Sequence, residues 1–150
     1  MRPVTRPPAP LRCLIDSMIF DAIALEPGML ARVDRLTAAR RLALLAAVTS
    51  IEQLAATPDP AHRRRLQRVR VLVVPPADDD PRARPLLDDL RALRVDRDDA
   101  LIAAAAVLQE APLVTEDRGL REARVAACLR VALWDWANDL RPRILALEDR

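Results

Sequence analysis

Apolar residues fall in blocks separated by prolines, arginines and aspartates, and the block lengths set the first reading of the chain. Leu11 to Ile15 is a short apolar-rich run closed by Asp16, which fits a buried strand. Ser17 to Leu25 reads as a helix with Ser17 as its N-cap, interrupted by Pro27 and Gly28. Met29 to Ala47 is apolar, studded with arginine and free of Gly and Pro, so it predicts one or two helices. Thr49 and Ser50 offer a cap for a further helix beginning at Ile51, and Pro58 and Pro60 end it. Val69 to Val74 is rich in β-branched residues and stopped by Pro75 and Pro76, which predicts a strand. Asp78, Asp79, Asp80 and Pro81 form a turn.

Pro85 to Leu93 places Leu86, Leu87, Leu90 and Leu93 on one helix face. An acidic cluster, Asp96 to Asp99, opens the next helix, Ala100 to Gln109, which is apolar almost all round and therefore central. Leu113 to Thr115 is a short strand, Arg118 to Arg124 a short helix, Cys128 to Leu133 a last strand, and the tail is polar. Strands alternating with helices predict an α/β fold with a parallel sheet covered on both faces. Residues 1–10 carry four prolines and read as a flexible leader; residues 11–150 read as a single domain.

Composition narrows the chemistry. Hydrophobic residues are 51% and charged residues 31% of 150, enough for a packed core. Aromatics are only 2%, which argues against surfaces that stack bases on aromatic rings. All 24 basic residues are Arg, so P-loop, Schiff-base and Ser–Lys chemistries are excluded. Two glycines are too few for a Rossmann or P-loop phosphate cradle. One His and two Cys do not make a zinc finger, and Cys13 and Cys128 read as buried free thiols of a reducing cytosol. No apolar stretch reaches membrane-spanning length and no secretory signal is seen, so a cytoplasmic location away from membranes is expected. The net charge is only +2, so nucleic-acid contact would rest on local Arg clusters.

Carboxylates remain for catalysis. Asp16 and Asp117 each follow an apolar strand, which places them at the carboxyl edge of a parallel sheet, where α/β ligand sites lie. Asp99 opens a buried helix and Glu52 lies near the start of another. Such a cluster needs a hard cation, because like charges raise each other's pKa. Each acid also has an ordinary structural use: Asp98 suits a helix cap, while Asp99 is free to point at the sheet edge. Asp21, Asp34, Asp88, Asp89 and the run Asp78 to Asp80 read as solvated. Arg63, Arg64, Arg65, Arg68 and Arg70 read as a solvated helix face with His62 on the surface beside it, whereas Arg118 and Arg121 follow Asp117 and suit phosphate contact. Trp134 and Trp136 share one face if the last strand runs through them, and would cover the sheet edge.

Four segments taken together, Leu14-Ile15-Asp16-Ser17, Val48-Thr49-Ser50-Ile51-Glu52-Gln53-Leu54, Asp99-Ala100-Leu101-Ile102-Ala103-Ala104-Ala105-Ala106 and Leu113-Val114-Thr115-Glu116-Asp117, resemble the PIN domain across roughly residues 11–135. The resemblance implies a three-layer α/β/α sandwich around a central parallel sheet. It implies metal-site acids at Asp16, Glu52, Asp99 and Asp117, with hydroxyl support from Thr115 and Ser17. Mg2+ or Mn2+ would be the cofactor, and RNA phosphodiester hydrolysis the reaction, leaving a 5′-phosphate and a 3′-hydroxyl. Small single-domain members resemble VapC-type toxins, which implies a cognate antitoxin and a homodimer. Alternatives are a non-toxin PIN nuclease and a non-catalytic PIN-like module that binds RNA or protein. The chain departs from a minimal member in its longer leader and in the Pro- and Arg-rich segment between Glu52 and Asp99.

Overall fold

The central strand, β1 (Leu11–Ile15), is flanked on both edges, and its residues Cys13, Leu14 and Ile15 are wholly buried. In the computed structural model, which describes residue 3 and residues 6–148, it pairs in parallel with β2 (Leu42–Ala46) and with β4 (Leu113–Val114). Leu14 stands opposite Leu45 on one side and Leu113 on the other. Two short strands close the edges, β3 (Leu72–Val73) beside β2 and β5 (Leu133–Trp134) beside β4. The sheet order is β3-β2-β1-β4-β5, all parallel, so every strand ends at one edge.

Alternation along β1 divides the core in two. Cys13 and Ile15 pack with Phe20 and Ile23 of α1 (Ser17–Leu25), Val33 of α2 (Met29–Ala38) and Ile144 of α9 (Arg141–Glu148). Leu14 packs on the other face with Leu90 of α5 (Arg84–Ala92), Ile102 to Ala106 of α6 (Arg97–Leu108) and Leu129 of α8 (Ala123–Leu129). The result is the expected α/β/α sandwich. α3 (Val48–Ala55), α4 (Pro60–Leu66) and the single turn α7 (Arg118–Arg121) complete the α-helices among the described residues. The central role expected of the Ala-rich helix holds: Ala103, Ala104 and Ala106 are fully buried, and their small side chains let α6 lie close to the sheet.

Several local expectations are corrected. Leu42–Ala46 is a strand, although its Leu and Ala residues favour helix. It is buried between β1 and β3, and backbone pairing there outweighs propensity. α1 is capped by Asp16, whose side chain accepts from Ser17 N, rather than by Ser17. α3 starts at Val48 after an Ala47 cap with no side-chain bond, so Thr49 and Ser50 lie inside it. Asp96, not Asp98, caps α6. The strand expected over Val69–Val74 is confined to Leu72–Val73 at an exposed edge.

Residues expected as a strand from Cys128 instead finish α8, and β5 ends at Trp134. Trp136 therefore opens a wide turn, Trp136–Leu140, instead of continuing the strand; both indoles still pack on the core. The polar tail is helical as α9, and Arg143 lays its guanidinium 4.4 Å over the Trp134 ring. Cys13 is buried and its thiol is pushed up to about 12 by burial, but Cys128 is only half-buried. Asp21 is not simply solvated; it meets His62 Nε2 at 2.6 Å, which ties α1 to α4. The leader expectation for residues 1–10 falls partly outside the described residues, as do residues 149–150 of the single domain. Among the described residues no helix is long and apolar enough to cross a membrane.

Four helices end in left-handed residues that are not glycine: Arg40, Arg94, Glu110 and Arg130. After α2, α5 and α6 the closing bonds Arg41 N to Leu36 O, Val95 N to Leu90 O and Ala111 N to Ala106 O form Schellman turns. Glycine meets that geometry without a Cβ clash, at some entropic cost in the unfolded chain. Arg94→Gly is expected to stabilise the protein by about 0.5–1 kcal/mol, seen as a rise in thermal midpoint; a lower midpoint would contradict it.

Candidate functional site

β1 delivers Asp16 to the carboxyl edge of the sheet, where its backbone N–H donates to Val114 O at 3.0 Å. The side chain is only 3% exposed. Its Oδ1 accepts from Ser17 N at 2.7 Å and lies 3.4 Å from the Ser17 hydroxyl. Its Oδ2 accepts from Thr115 Oγ1 at 2.8 Å. Thr115 is fully buried just beyond β4, and its backbone N–H donates to Trp134 O at 2.9 Å. The same hydroxyl accepts from Asp117 N at 3.0 Å. A hydroxyl can donate and accept at once, so one Thr side chain couples the two aspartates.

Asp117 caps α7, with Oδ1 accepting from Leu120 N at 3.0 Å. Gly119 allows this close approach: a Cβ there would lie 3.0 Å from Asp117 Oδ1. Glu116, beside Asp117, accepts from Trp136 N at 2.8 Å and fastens the same loop to the turn after β5. Arg121 donates to Thr115 O at 3.3 Å, so it is bonded back to the loop that carries the site, whereas Arg118 is exposed.

Asp99 enters from the first turn of α6 and is half-buried. Its carboxyl is pushed up to about 6, first by burial, then by the charges of Asp117, Asp16, Asp96 and Asp98. Asp16 is also raised, chiefly by burial and further by Asp117, against the lowering effect of its bonds from Thr115 and Ser17. Asp16, Asp99 and Asp117 thus form one electrostatic unit in which like charges face each other. Glu52 is exposed on α3 and opens onto a cavity of about 260 Å3 whose lining includes Asp78, Asp79 and Leu101. Gln53, not singled out by sequence, donates to Asp98 at 3.4 Å and holds α3 against α6. Its partner lies 45 residues away, so no local pattern marks it.

The donors available are carboxylate oxygens, which suit a hard divalent ion. Among the described residues no three His, Cys, Asp or Glu side chains converge closely enough to enclose an ion by themselves. Mg2+ commonly retains waters and uses only one or two carboxylates, so the donor chemistry fits such a partly hydrated ion.

Between pH 3.8 and about 6 the folded chain holds on Asp99 a proton that the unfolded chain has released. Stability contributed by that proton is present below this window and is lost as pH rises through it. Asp99→Asn should therefore flatten the fall and, in EDTA at pH 8, stabilise the protein by about 1–3 kcal/mol. Urea denaturation at pH 4 and pH 8 measures it, and equal slopes in both proteins would remove Asp99 from the unit. Thr115→Val leaves Asp16 Oδ2 and Asp117 N without their shared partner, and is expected to cost about 1–3 kcal/mol by the same denaturation.

No protein-family model and no curated protein matches the sequence. Solved structures do. The crystal structure of VapBC2 from Rickettsia felis bound to a DNA fragment from their promoter matches with a TM-score of 0.58 and 13% identity, over 83% of this chain and 98% of that one. The crystal structure of PAE2754 from Pyrobaculum aerophilum matches with a TM-score of 0.51 and 20% identity, over 95% of this chain and 92% of that one. At these identities the likeness is one of fold. With five parallel strands in the order β3-β2-β1-β4-β5 between two helical layers, the chain has the PIN-like fold of the VapC-type toxins.

Proposed function

We propose that this protein is a Mg2+- or Mn2+-dependent endoribonuclease that hydrolyses RNA phosphodiesters. The observation that carries the reading is the Asp16–Thr115–Asp117 hydrogen-bonded chain with Asp99 in its field, at the carboxyl edge of a parallel sheet. The Asp16 carboxylate is oriented by Thr115 and Ser17, and the Asp117 carboxylate by Leu120 N, while Thr115 holds the Asp117 backbone N–H, so both rotamers are set before any ligand arrives. Asp99 faces both from α6, and Glu52, exposed on α3, would complete the set. No guanidinium is among the groups acting on Asp16 or Asp99, so their charge is left for a cation and not spent on an internal ion pair. A bound divalent ion would offset phosphate charge and supply a water of lowered pKa for in-line attack. Arg118 stands free at the start of α7 to meet a substrate phosphate, with Arg121 behind it. His62 lies with Asp21 on other helices and takes no part.

The match to a VapBC2 complex supports a finer reading, in which the chain is the toxin of a type II toxin–antitoxin pair, restrained by a cognate antitoxin and acting as a homodimer. Incubation of purified protein with single-stranded RNA tests the activity. Cleavage is expected in Mn2+ or Mg2+ and not in EDTA, with 5′-phosphate products. Asp16→Asn, Asp99→Asn and Asp117→Asn should each lose about 100-fold or more while keeping the circular dichroism spectrum, as expected when charge stabilisation of phosphoryl transfer is removed. Undiminished cleavage in EDTA or in all three variants would overturn the assignment. Growth arrest on expression, relieved by Asp99→Asn, is the matching expectation for the toxin.

A further inference from the structure

We propose that the cleft between α5 and the first turns of α6 is a nucleotide subsite that holds a guanine-bearing residue of single-stranded RNA beside the acidic centre. The inference rests on the ribonuclease reading and adds to it the part of the chain that grips the strand.

The cleft has a volume of about 760 Å3, within the usual range for small-ligand sites. Its apolar surface comes from Leu87, Val95, Ala100 and Leu101. Its charged walls hold both signs, and the ion pairs there are unevenly distributed. Arg97 lies 3.5 Å from Asp78 and Arg82 lies 2.7 Å from Asp80, so those charges are matched internally. Arg84 and Arg91 also line the cleft, yet neither guanidinium makes an ion pair or hydrogen bond with any described residue. They are seven positions apart on α5, two helical turns, hence on one face and about 10 Å apart along the axis. Asp79 and Asp88 line the same cleft without a guanidinium partner.

Position links the cleft to the acids. Arg97, Ala100 and Leu101 present one face of the first turns of α6 to the cleft, and Asp99 leaves the same turn on the opposite side of the helix. Asp78, Asp79 and Leu101 line both this cleft and the cavity that Glu52 faces, so the two adjoin. A strand occupying the cleft therefore leads toward the acidic centre.

The unpaired groups suit a nucleotide better than a simple anion or cation. Two guanidiniums bind backbone phosphates, and an apolar floor accepts the face of a base. Two carboxylates are acceptors only and need N–H donors opposite them. The pairing edge of guanine offers N1–H and N2–H side by side, matching one carboxylate in a bidentate contact, whereas uracil would set carbonyl oxygens against it. A basic protein segment would satisfy Asp79 and Asp88 but leave Arg84 and Arg91 facing like charge.

Binding is measured by fluorescence anisotropy on the full-length protein in EDTA, so that no strand is cut. The probes are labelled octaribonucleotides with a central GG or a central UU. The GG strand is expected to bind about 5-fold or more tightly than the UU strand. Arg84→Ala/Arg91→Ala should weaken binding of both by about 10-fold or more and lower the salt slope by about 1.4, the loss of two phosphate contacts on a single strand. Asp79→Asn/Asp88→Asn should abolish the preference for GG. All of these positions are on the surface, and an unchanged melting curve shows that the variants fold.

Wild-type affinity and salt slope in the arginine variant would overturn the subsite, as would equal binding of GG and UU by the wild type. Tight binding of a basic peptide that the octamers fail to displace would assign the cleft to a protein partner and overturn it too. The two readings fail separately. RNA cleavage that survives the arginine substitutions with unchanged KM sinks the subsite alone. Cleft-dependent GG binding without any metal-dependent cleavage sinks the ribonuclease alone.

Discussion

A carboxylate that is 3% exposed at the end of a central strand is costly to keep charged, and the structure meets that cost at Asp16 with three donor contacts. Two come from Ser17, the next residue, and follow from helix capping. The third comes from Thr115, across the β1–β4 pair. That hydroxyl bond depends on the register that sets Leu14 opposite Leu113 and Ile15 opposite Val114, because only then do the chains emerge side by side. Thr115 then passes the constraint on to Asp117, and Asp117 starts α7. The edge of the sheet, one helix cap and two acids of the candidate site are thus held by one hydrogen-bond chain.

A third acid, Asp99, arrives through packing. α6 is lined with alanines that let its axis approach the sheet, and its first turn carries Asp99 to the edge where Asp16 and Asp117 stand. Aspartate in a first helical turn is ordinarily favoured by the helix dipole. Here burial and four neighbouring carboxylates outweigh that preference and push Asp99 up to about 6. Apolar packing therefore holds together charges that would otherwise separate.

Charge is handled differently a few residues away. Around α5 and the turns before it, aspartates and arginines alternate, and pairs such as Arg82–Asp80 form locally at 2.7 Å. Such exposed pairs contribute little to stability. What distinguishes the cleft is the subset left over, Arg84 and Arg91, whose helical spacing gives them a common face without bringing either onto an acid. The site and the cleft thus differ in kind: one concentrates negative charge at the sheet edge, the other sets unpaired cations and carboxylates together beside an apolar floor.

Much of this order is local and was legible in the residues. An apolar run closed by Asp16, another ending three residues before Asp117, and an Ala-rich helix opened by Asp99 each appear within a few consecutive positions, and the parallel α/β class follows from the alternation of strands and helices. Other features were not local. Leu42–Ala46 has the composition of a helix, and only pairing with β1 and β3 makes it a strand. Glu52 is close in sequence to a strand end, but the cavity it opens onto is lined by Asp78, Asp79 and Leu101, far from it in sequence. His62 meets Asp21 across 41 residues, and Gln53 meets Asp98 across 45. The arginines of the cleft look like any others until the ion pairs are in place. Runs, caps and turns depend on energies between near neighbours in the chain, so the sequence displays them. Strand identity, the aim of a side chain and the pairing of charges depend on residues brought together by burial, and the tertiary structure decides those.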